Sequence, residues 1–410
     1  MAEIRPFYCV RPTKEKAKEV AALPYDVYNK EEAREAVRNH PYSFLNIDRP
    51  ETQFEESVDM YSKQVYEKAG IMLQEWIKSG VFVKEQKKCY YLYELTMAGR
   101  TQTGIVACAS VEDYENNVIK KHENTRFEKE RDRICHVDAC NAQTGPIFLA
   151  CKEDSVLEQK MTQWKKQEPL YDFVAEDQVR HRVFLIEKEE EIQFLTEHFK
   201  EIPALYIADG HHRAASAVKV SQKRREENGG KKDEEYSYFL SVIFPANQLK
   251  ILDYNRVISD LNSNTELEFL EKVQREFTVQ QVKDTFRPEK KGQFGMYLKG
   301  QWYQLTLKDS VSSEDVVEKL DVSILQERLL NPILGIHDPK TDERIKFVGG
   351  IRGLKELERL VDEGDAVAFS MHPTSMEELF QVADAGRLMP PKSTWFEPKL
   401  RSGLFIHLLQ

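Results

Sequence analysis

No run in the chain approaches the ~20 apolar residues that would span a membrane. The opening stretch, MAEIRPFYCVRPTKEKAKEV, carries charges throughout and has no apolar core of the kind a secretory signal needs. A soluble, cytoplasmic protein without a membrane partner is the expectation. Basic excess is missing as well. The net charge is −10 at pH 7, which argues against a broad nucleic-acid-binding surface but leaves room for a local basic pocket. Cysteine is scarce: Cys9, Cys89, Cys108, Cys135, Cys140 and Cys151 are the six, and none forms a CxxC pair. Free thiols in a reducing compartment are the default for such a chain. Cys135 and Cys140 flank His136 and Asp138, yet structural zinc usually takes a second close ligand pair, so no metal ligands are assigned. Internal repeats and low-complexity tracts are absent, and no GxxxxGK[ST] loop points to ATP.

What is present is enough apolar material, 41% of 410 residues, for a proper core. At about 150 residues per domain the length suggests two or three units, or one large α/β unit with an insertion. NKEEAREAVRNHP (29–41) reads as a helix capped by Asn29 with Glu32 three residues on and closed by Pro41. The apolar spacing of FEESVDMYSKQVYEKAGIMLQEWIKSG predicts a long amphipathic helix over 54–80. Residues 88–114 read as a β-hairpin, 145–153, 181–189 and 238–245 as strands, and 190–202 as a helix. ALYIADG (204–210) is expected as a central strand ending in a turn, followed by a helix from 213 into a charged Gly-Gly loop. The pattern then shifts to shorter alternating strands at 292–307 and a helix in SVSSEDVVEKLDVSILQERLL. These readings give an α/β or α+β fold with a mixed sheet and flanking helices. The divisions expected are a main phosphate-binding lobe over 1–245, a smaller α+β lobe over 246–380, and a segment over 381–410 that docks back on the main lobe.

The segment YIADGHHRAASA (206–217) places an acid, a glycine, two imidazoles and a guanidinium at a strand-to-helix turn. A helix start offers N–H groups with no internal partner at the positive end of the dipole. Gly210 allows close backbone approach, Arg213 can bind phosphate oxygens in pairs, and His211 and His212 can donate or move protons. Asp209 can take a proton, hold a metal or cap the helix. The plainer alternative is a capped helix start with solvated side chains. Adjacent histidines on a helix point apart, so at most one of His211 and His212 joins a given site.

Three further clusters repeat the theme. HENTRFEKERDR gathers His122, Glu123, Thr125, Lys129, Asp132 and Arg133, with a solvated charged helix as the alternative. LPYDVYN sets Asp26 on a loop before a helix, where it could also serve as a local cap. PPKSTWFEPK places Lys392, Ser393, Thr394 and Lys399 among rigid prolines and aromatics, and reads equally as a C-terminal clasp. Asp253, Asn255 and Arg256 come after the 238–245 strand and read as structural.

Taken together, LPYDV, HENT with KERDR, YIADGHHR and MPPKSTWFEPKLRSGL resemble the bacterial and archaeal family known as domain of unknown function 1015, over nearly the whole chain. DGHHR entering a helix is also similar to the phosphate-binding motif of the ParB/sulfiredoxin-like fold, over about residues 189–220. That second resemblance implies that Gly210, His211, His212 and Arg213 wrap a donor phosphate. No cysteine lies in the motif, which separates it from sulfiredoxins, and the acidic charge separates it from the partition proteins; free serine kinases of that fold fit best. The implied activity is transfer of phosphoryl, with Mg²⁺ and ATP, ADP or pyrophosphate, to a small-molecule hydroxyl such as that of free L-serine. Glu123 is the first candidate for the base and Asp209 the second, with His211 also at the reacting centre. His122, Thr125, Lys129, Asp132, Arg133, Asp26, Lys392, Ser393 and Thr394 are candidates for binding substrate or neutralising charge. A phosphatase for phosphoserine-like esters and a non-catalytic nucleotide-binding regulator stand as alternatives, and a homodimer is compatible with the sequence.

Overall fold

The apolar run YFLSVIFP becomes the strand Tyr238–Pro245, buried along its whole length. A strand buried on both faces must sit inside a sheet, where its backbone groups find partners on either side. It pairs in parallel with Ile147–Cys151 and antiparallel with Arg100–Ser110. Beyond Ile147–Cys151 lie Leu205–Asp209 and the short Ile119–Lys120; beyond Arg100–Ser110 lie Tyr90–Met97, Arg180–Ile186 and Tyr171–Val174. Ile4–Arg5 adds a further pairing to Arg100–Ser110. Parallel and antiparallel pairs coexist, so the sheet is mixed and the architecture is α/β. These observations come from a computed structural model, which describes residues 1–309 and 313–410.

The chain forms two units, one of Met1–Leu249 with Pro398–Gln410 and one of Lys250–Glu397. In the first, apolar side chains of the sheet pack with those of helices Ser155–Trp164, Glu189–Phe199 and His211–Glu227 in one core. The expected strand at 204–210 is Leu205–Asp209, an interior strand held between Ile119–Lys120 and Ile147–Cys151. Asn29 and Glu32 form the capping box read from the sequence, although the helix Lys30–Val37 ends before Pro41. The long helix starts later than its spacing suggests, at Lys63–Lys78. The Asp59 carboxylate accepts the Tyr61 N–H at 3.0 Å, a local turn that competes with helix over the preceding residues. The polar segment after residue 120 becomes the helix Phe127–Cys140, whose Glu130, Arg133, His136 and Cys140 are buried.

The second unit carries a six-stranded sheet in the order Phe277–Val282, Gln301–Leu307, Gln293–Leu298, Val367–Met371, Tyr254–Ile258 and Ile345–Gly349. Its pairings are all antiparallel, and helices Glu266–Glu276, Lys355–Asp362 and Met376–Asp384 accompany it, giving an α+β unit. Of the helix expected in SVSSEDVVEKLDVSILQERLL, residues 310–312 lie outside the described residues. The described part holds Asp321–Leu325, which runs into a wider π turn at Gln326–Leu330. Residues 381–397 also belong to this unit, because Trp395–Phe396 finds its ladder partner in Ile251–Leu252.

From Pro398 onward the chain belongs to the first unit. Ile406–Leu408 lies between Cys9–Pro12 and Ala142–Gln143 in a four-stranded sheet that also includes Phe82–Lys84. Arg401 Nε donates to Nε2 of the buried His181 at 3.3 Å, and Nδ1 of that ring meets the Tyr93 hydroxyl at 2.8 Å. Because Nε2 accepts, Nδ1 carries the proton and donates to Tyr93. Arg401 also pairs with Asp177. Gly403 closes the turn with φ +85°, and a Cβ there would sit 2.5 Å from Cγ of Phe44.

Gly403→Ala is therefore expected to destabilise the protein by about 2–4 kcal/mol through overpacking and left-handed strain. The check is a lower denaturation midpoint at unchanged m-value. Burial, followed by the nearby Arg401 charge, pushes His181 down from its ordinary 6.5 to about 3. Between those values the unfolded chain binds a proton that the folded chain refuses, so the contribution is complete above 6.5 and is lost as the pH falls toward 3. Unfolding free energy measured across this range should rise with pH, with a shallower slope in His181→Gln.

Candidate functional site

Ile119–Lys120 and Leu205–Asp209 run parallel, with Leu205 opposite Ile119 and Tyr206 opposite Lys120. Their carboxyl ends therefore open toward the same side, and the residues just past each strand, 121–126 and 210–213, meet there. Such carboxyl ends are where open α/β sheets carry their sites. Gly210 turns the chain with φ 93° and ψ 30°, and the helix His211–Glu227 begins at once. Among the described residues, no side chain caps the first N–H groups of this helix. Asp209 does not cap them: one carboxylate oxygen accepts the Gly210 N–H at 2.8 Å and the other accepts from Lys399 Nζ at 2.9 Å. A Cβ on Gly210 would approach Arg213 Nε to 3.2 Å, so the glycine makes space for the guanidinium that folds over the turn. Arg213 Nη1 donates to the Pro146 carbonyl at 2.7 Å.

The two histidines diverge, as adjacent helix positions must. His211 turns inward and is buried. Its ring stands edge-to-face with that of His122 at 4.5 Å between centroids, and its Nδ1 is 3.9 Å from a Glu123 carboxylate oxygen. His212 faces the other way, and its Nε2 accepts the Arg126 N–H at 3.0 Å. Burial pushes His122 down to about 4 and His211 well below its usual range, the latter helped by the His122 beside it. His212 is pushed down to about 4 by burial and by Lys129. All three imidazoles are neutral at neutral pH, so the positive charge at this turn comes from Arg213 and Lys399. Burial works to raise the Asp209 carboxyl, but Lys399 and Arg213 outweigh it and hold the group well below the usual carboxylate range.

The helix Phe127–Cys140 brings the rest of its segment alongside. The Arg133 guanidinium lies 3.9 Å from the Tyr25 ring centroid and pairs with Asp132 at 2.8 Å, while Asp132 accepts from the Tyr66 hydroxyl at 2.8 Å. Thr125 spends its hydroxyl on Glu130, which Lys219 pairs at 3.0 Å. A cavity of about 170 Å³ opens between Tyr25, Asp26, Arg49, Glu51, Lys129 and Arg133. A second, smaller one of about 30 Å³ touches Tyr25, Asp48, Arg133, Arg213 and Ser402. Residues from the 24–28, 122–133, 209–213 and 399–402 stretches thus gather in one region of the first unit.

Lys392, Ser393 and Thr394 belong to the second unit. There Ser393 Oγ donates to the Pro390 carbonyl at 2.7 Å, the Thr374 hydroxyl donates to the Ser393 carbonyl at 2.9 Å, and the Lys392 ammonium lies 5.7 Å from the Tyr254 ring centroid. Sequence reasoning gave no site role to Asp48, Arg49 or Glu51, and left Lys399 between a site and a C-terminal clasp. A buried Arg49–Glu51 pair, with Arg49 also donating to the Tyr25 and Tyr28 carbonyls at 3.0 and 2.9 Å, fixes the loop that carries Asp26. The charged run DRPE directly after the largely apolar FLNI was the available signal for Asp48, Arg49 and Glu51.

Comparison with known proteins finds remote structural likenesses. A variant of a free serine kinase in complex with AMP is 13% identical, with 77% of this chain and 93% of that one covered and a TM-score of 0.36. SbnI from Staphylococcus aureus, C-terminally truncated, is 13% identical over 74% of this chain and 87% of its own, at a TM-score of 0.39. A conserved hypothetical protein from Pyrococcus furiosus is 14% identical over 74% and 95%, at 0.34. No curated protein matches the chain. The family model described as "Protein of unknown function (DUF1015)" matches residues 4–323, and the chain belongs to that family.

Proposed function

We propose that the protein is a small-molecule kinase that holds the phosphates of a nucleotide or pyrophosphate at the start of the helix His211–Glu227 and transfers phosphoryl to an acceptor hydroxyl. The observation that carries this reading is the helix start itself. Among the described residues its first N–H groups have no side-chain cap, and Arg213 and Lys399 supply positive charge beside them. Phosphoryl transfer asks mainly for positioning and charge neutralisation, which these groups offer. The neighbouring cavity of about 170 Å³ suits an acceptor of amino-acid size. Its lining carries both signs, with Lys129 for a carboxylate and Asp26 for an ammonium, so a zwitterion such as free L-serine fits its chemistry.

Mg²⁺ takes oxygen ligands and is usually held chiefly by the donor phosphates themselves. Bound there, the ion would neutralise charge on the donor oxygens. For the base, Asp209 is a poor proton acceptor because Lys399 and Arg213 stabilise its charged form. Glu123, half-buried beside His211, takes that role and accepts the proton of the attacking hydroxyl.

The direct test incubates the protein with Mg²⁺, serine and each of ATP, ADP and pyrophosphate, and looks for phosphoserine; release of phosphate from phosphoserine without any donor would favour a phosphatase instead. Arg213→Ala should weaken donor binding by ~1.5–3 kcal/mol, read by calorimetry. Unchanged affinity for every donor would make the turn a plain helix start. Glu123→Gln keeps the shape and removes the base, so donor affinity should stay within about twofold while turnover falls by about 10²-fold or more.

A further inference from the structure

We propose that His122, Glu123 and His211 form a binding site for one divalent transition-metal ion of the zinc class, with three protein ligands and an open fourth position. The inference goes beyond phosphoryl transfer and stands without it. One ligand atom from each of the three residues lies within 4.8 Å of the other two. Tetrahedral coordination at zinc distances sets ligand atoms about 3.4 Å apart, so small side-chain rotations close the set. The His211 ring already stands beside the Glu123 carboxylate, 3.9 Å away at Nδ1, and Nε2 is the nitrogen it leaves for the ion.

The backbone arrangement favours the same grouping. His122 and Glu123 come just after one strand of a parallel pair, and His211 comes after the other with a single glycine between. The three side chains therefore hang from two adjacent strand ends, which the sheet holds at a fixed spacing. A ring nitrogen of His122 bonds with the Ile207 backbone carbonyl, which fixes the tautomer and leaves the other nitrogen with its lone pair. Metal-binding histidines commonly anchor their second nitrogen in this way. His211 is 5% exposed, and its Nε2 is buried without a hydrogen-bond partner among the described residues. A buried ring nitrogen left in that state is rare in folded proteins unless something binds there.

The donor set selects the ion. Two imidazoles and one carboxylate suit Zn²⁺, Co²⁺ or Ni²⁺, whereas Mg²⁺ takes oxygens. Three protein ligands leave a position for water or for an oxygen of a bound anion, the pattern of reactive rather than structural zinc sites. Ligation through one oxygen of Glu123 leaves the other for accepting a proton.

Co²⁺ is the probe. Chelator-treated full-length protein, dialysed against Co²⁺, is expected to take up one ion per chain and to show visible d–d absorption. His211→Ala and the double variant His122→Ala/His211→Ala should lose that spectrum, and Glu123→Gln, at a half-exposed position, should bind about tenfold more weakly or worse. His212→Ala, whose ring faces the opposite way, should bind as the parent does. Circular dichroism of each variant checks folding; if the histidine variants unfold, Glu123→Gln against His212→Ala decides. Equal Co²⁺ uptake by the parent and Glu123→Gln, or equal loss in His212→Ala, overturns the proposal. Because uptake is read without turnover, absence of Co²⁺ binding sinks this inference alone, and absence of phosphoserine from metal-loaded protein sinks the kinase reading alone.

Discussion

The ion pair between Asp209 and Lys399 is the constraint on which the candidate site depends. Asp209 ends an interior strand with its side chain partly exposed, and the desolvation it does meet works toward the neutral acid. Lys399 reverses that preference from a position 190 residues further along the chain. Removing either member leaves the other charged and only partly solvated. The same carboxylate accepts the Gly210 N–H, so the pair also fixes the turn from which the helix departs. Strand end, turn and helix start are one mechanical unit, and the lysine is its pin.

Pairing governs the surrounding charges in the same way. Arg133 is buried against Tyr25 and Asp132, Arg49 against Glu51, and Arg401 against His181 and Asp177. Each guanidinium is held by a partner on a different loop or helix, or by carbonyls from one, so the arginines act as ties between segments as well as charges. The imidazoles go the other way. They give up their protons to burial, which keeps the region around Arg213 from accumulating positive charge. A neutral imidazole also keeps a lone pair.

How much of this is readable from the sequence differs from residue to residue. The strand–glycine–helix turn at 205–213 is legible because an apolar run, a glycine and a small-residue helix each carry a local signal. The Asn29–Glu32 box and the hairpin around Ala98–Gly99 are legible for the same reason. What escapes is set by distant partners. The spacing over 54–62 resembles a helix, but the Asp59 turn ends that option locally. Arg133 sits in a segment that looks solvated until Tyr25 and Asp48 arrive from elsewhere in the chain. Lys399 looks like part of a clasp of prolines and aromatics, and nothing near it names Asp209 as its partner. Residues 381–397 read as continuous with the terminal residues 398–410, yet the ladder of Trp395–Phe396 with Ile251–Leu252 assigns them to the second unit.

The discontinuous make-up of the first unit has a consequence for how the protein is made. Residues 1–249 leave the ribosome long before residues 398–410, and all of the second unit is synthesised in between. Through that interval the sheet lacks Ile406–Leu408, leaving the edges of Cys9–Pro12 and Ala142–Gln143 unpaired, and Asp209 lacks its lysine. Translation is therefore also a timer: Asp209 waits for its lysine until the stretch beyond Pro398 emerges, and a polypeptide released before that point carries open strand edges.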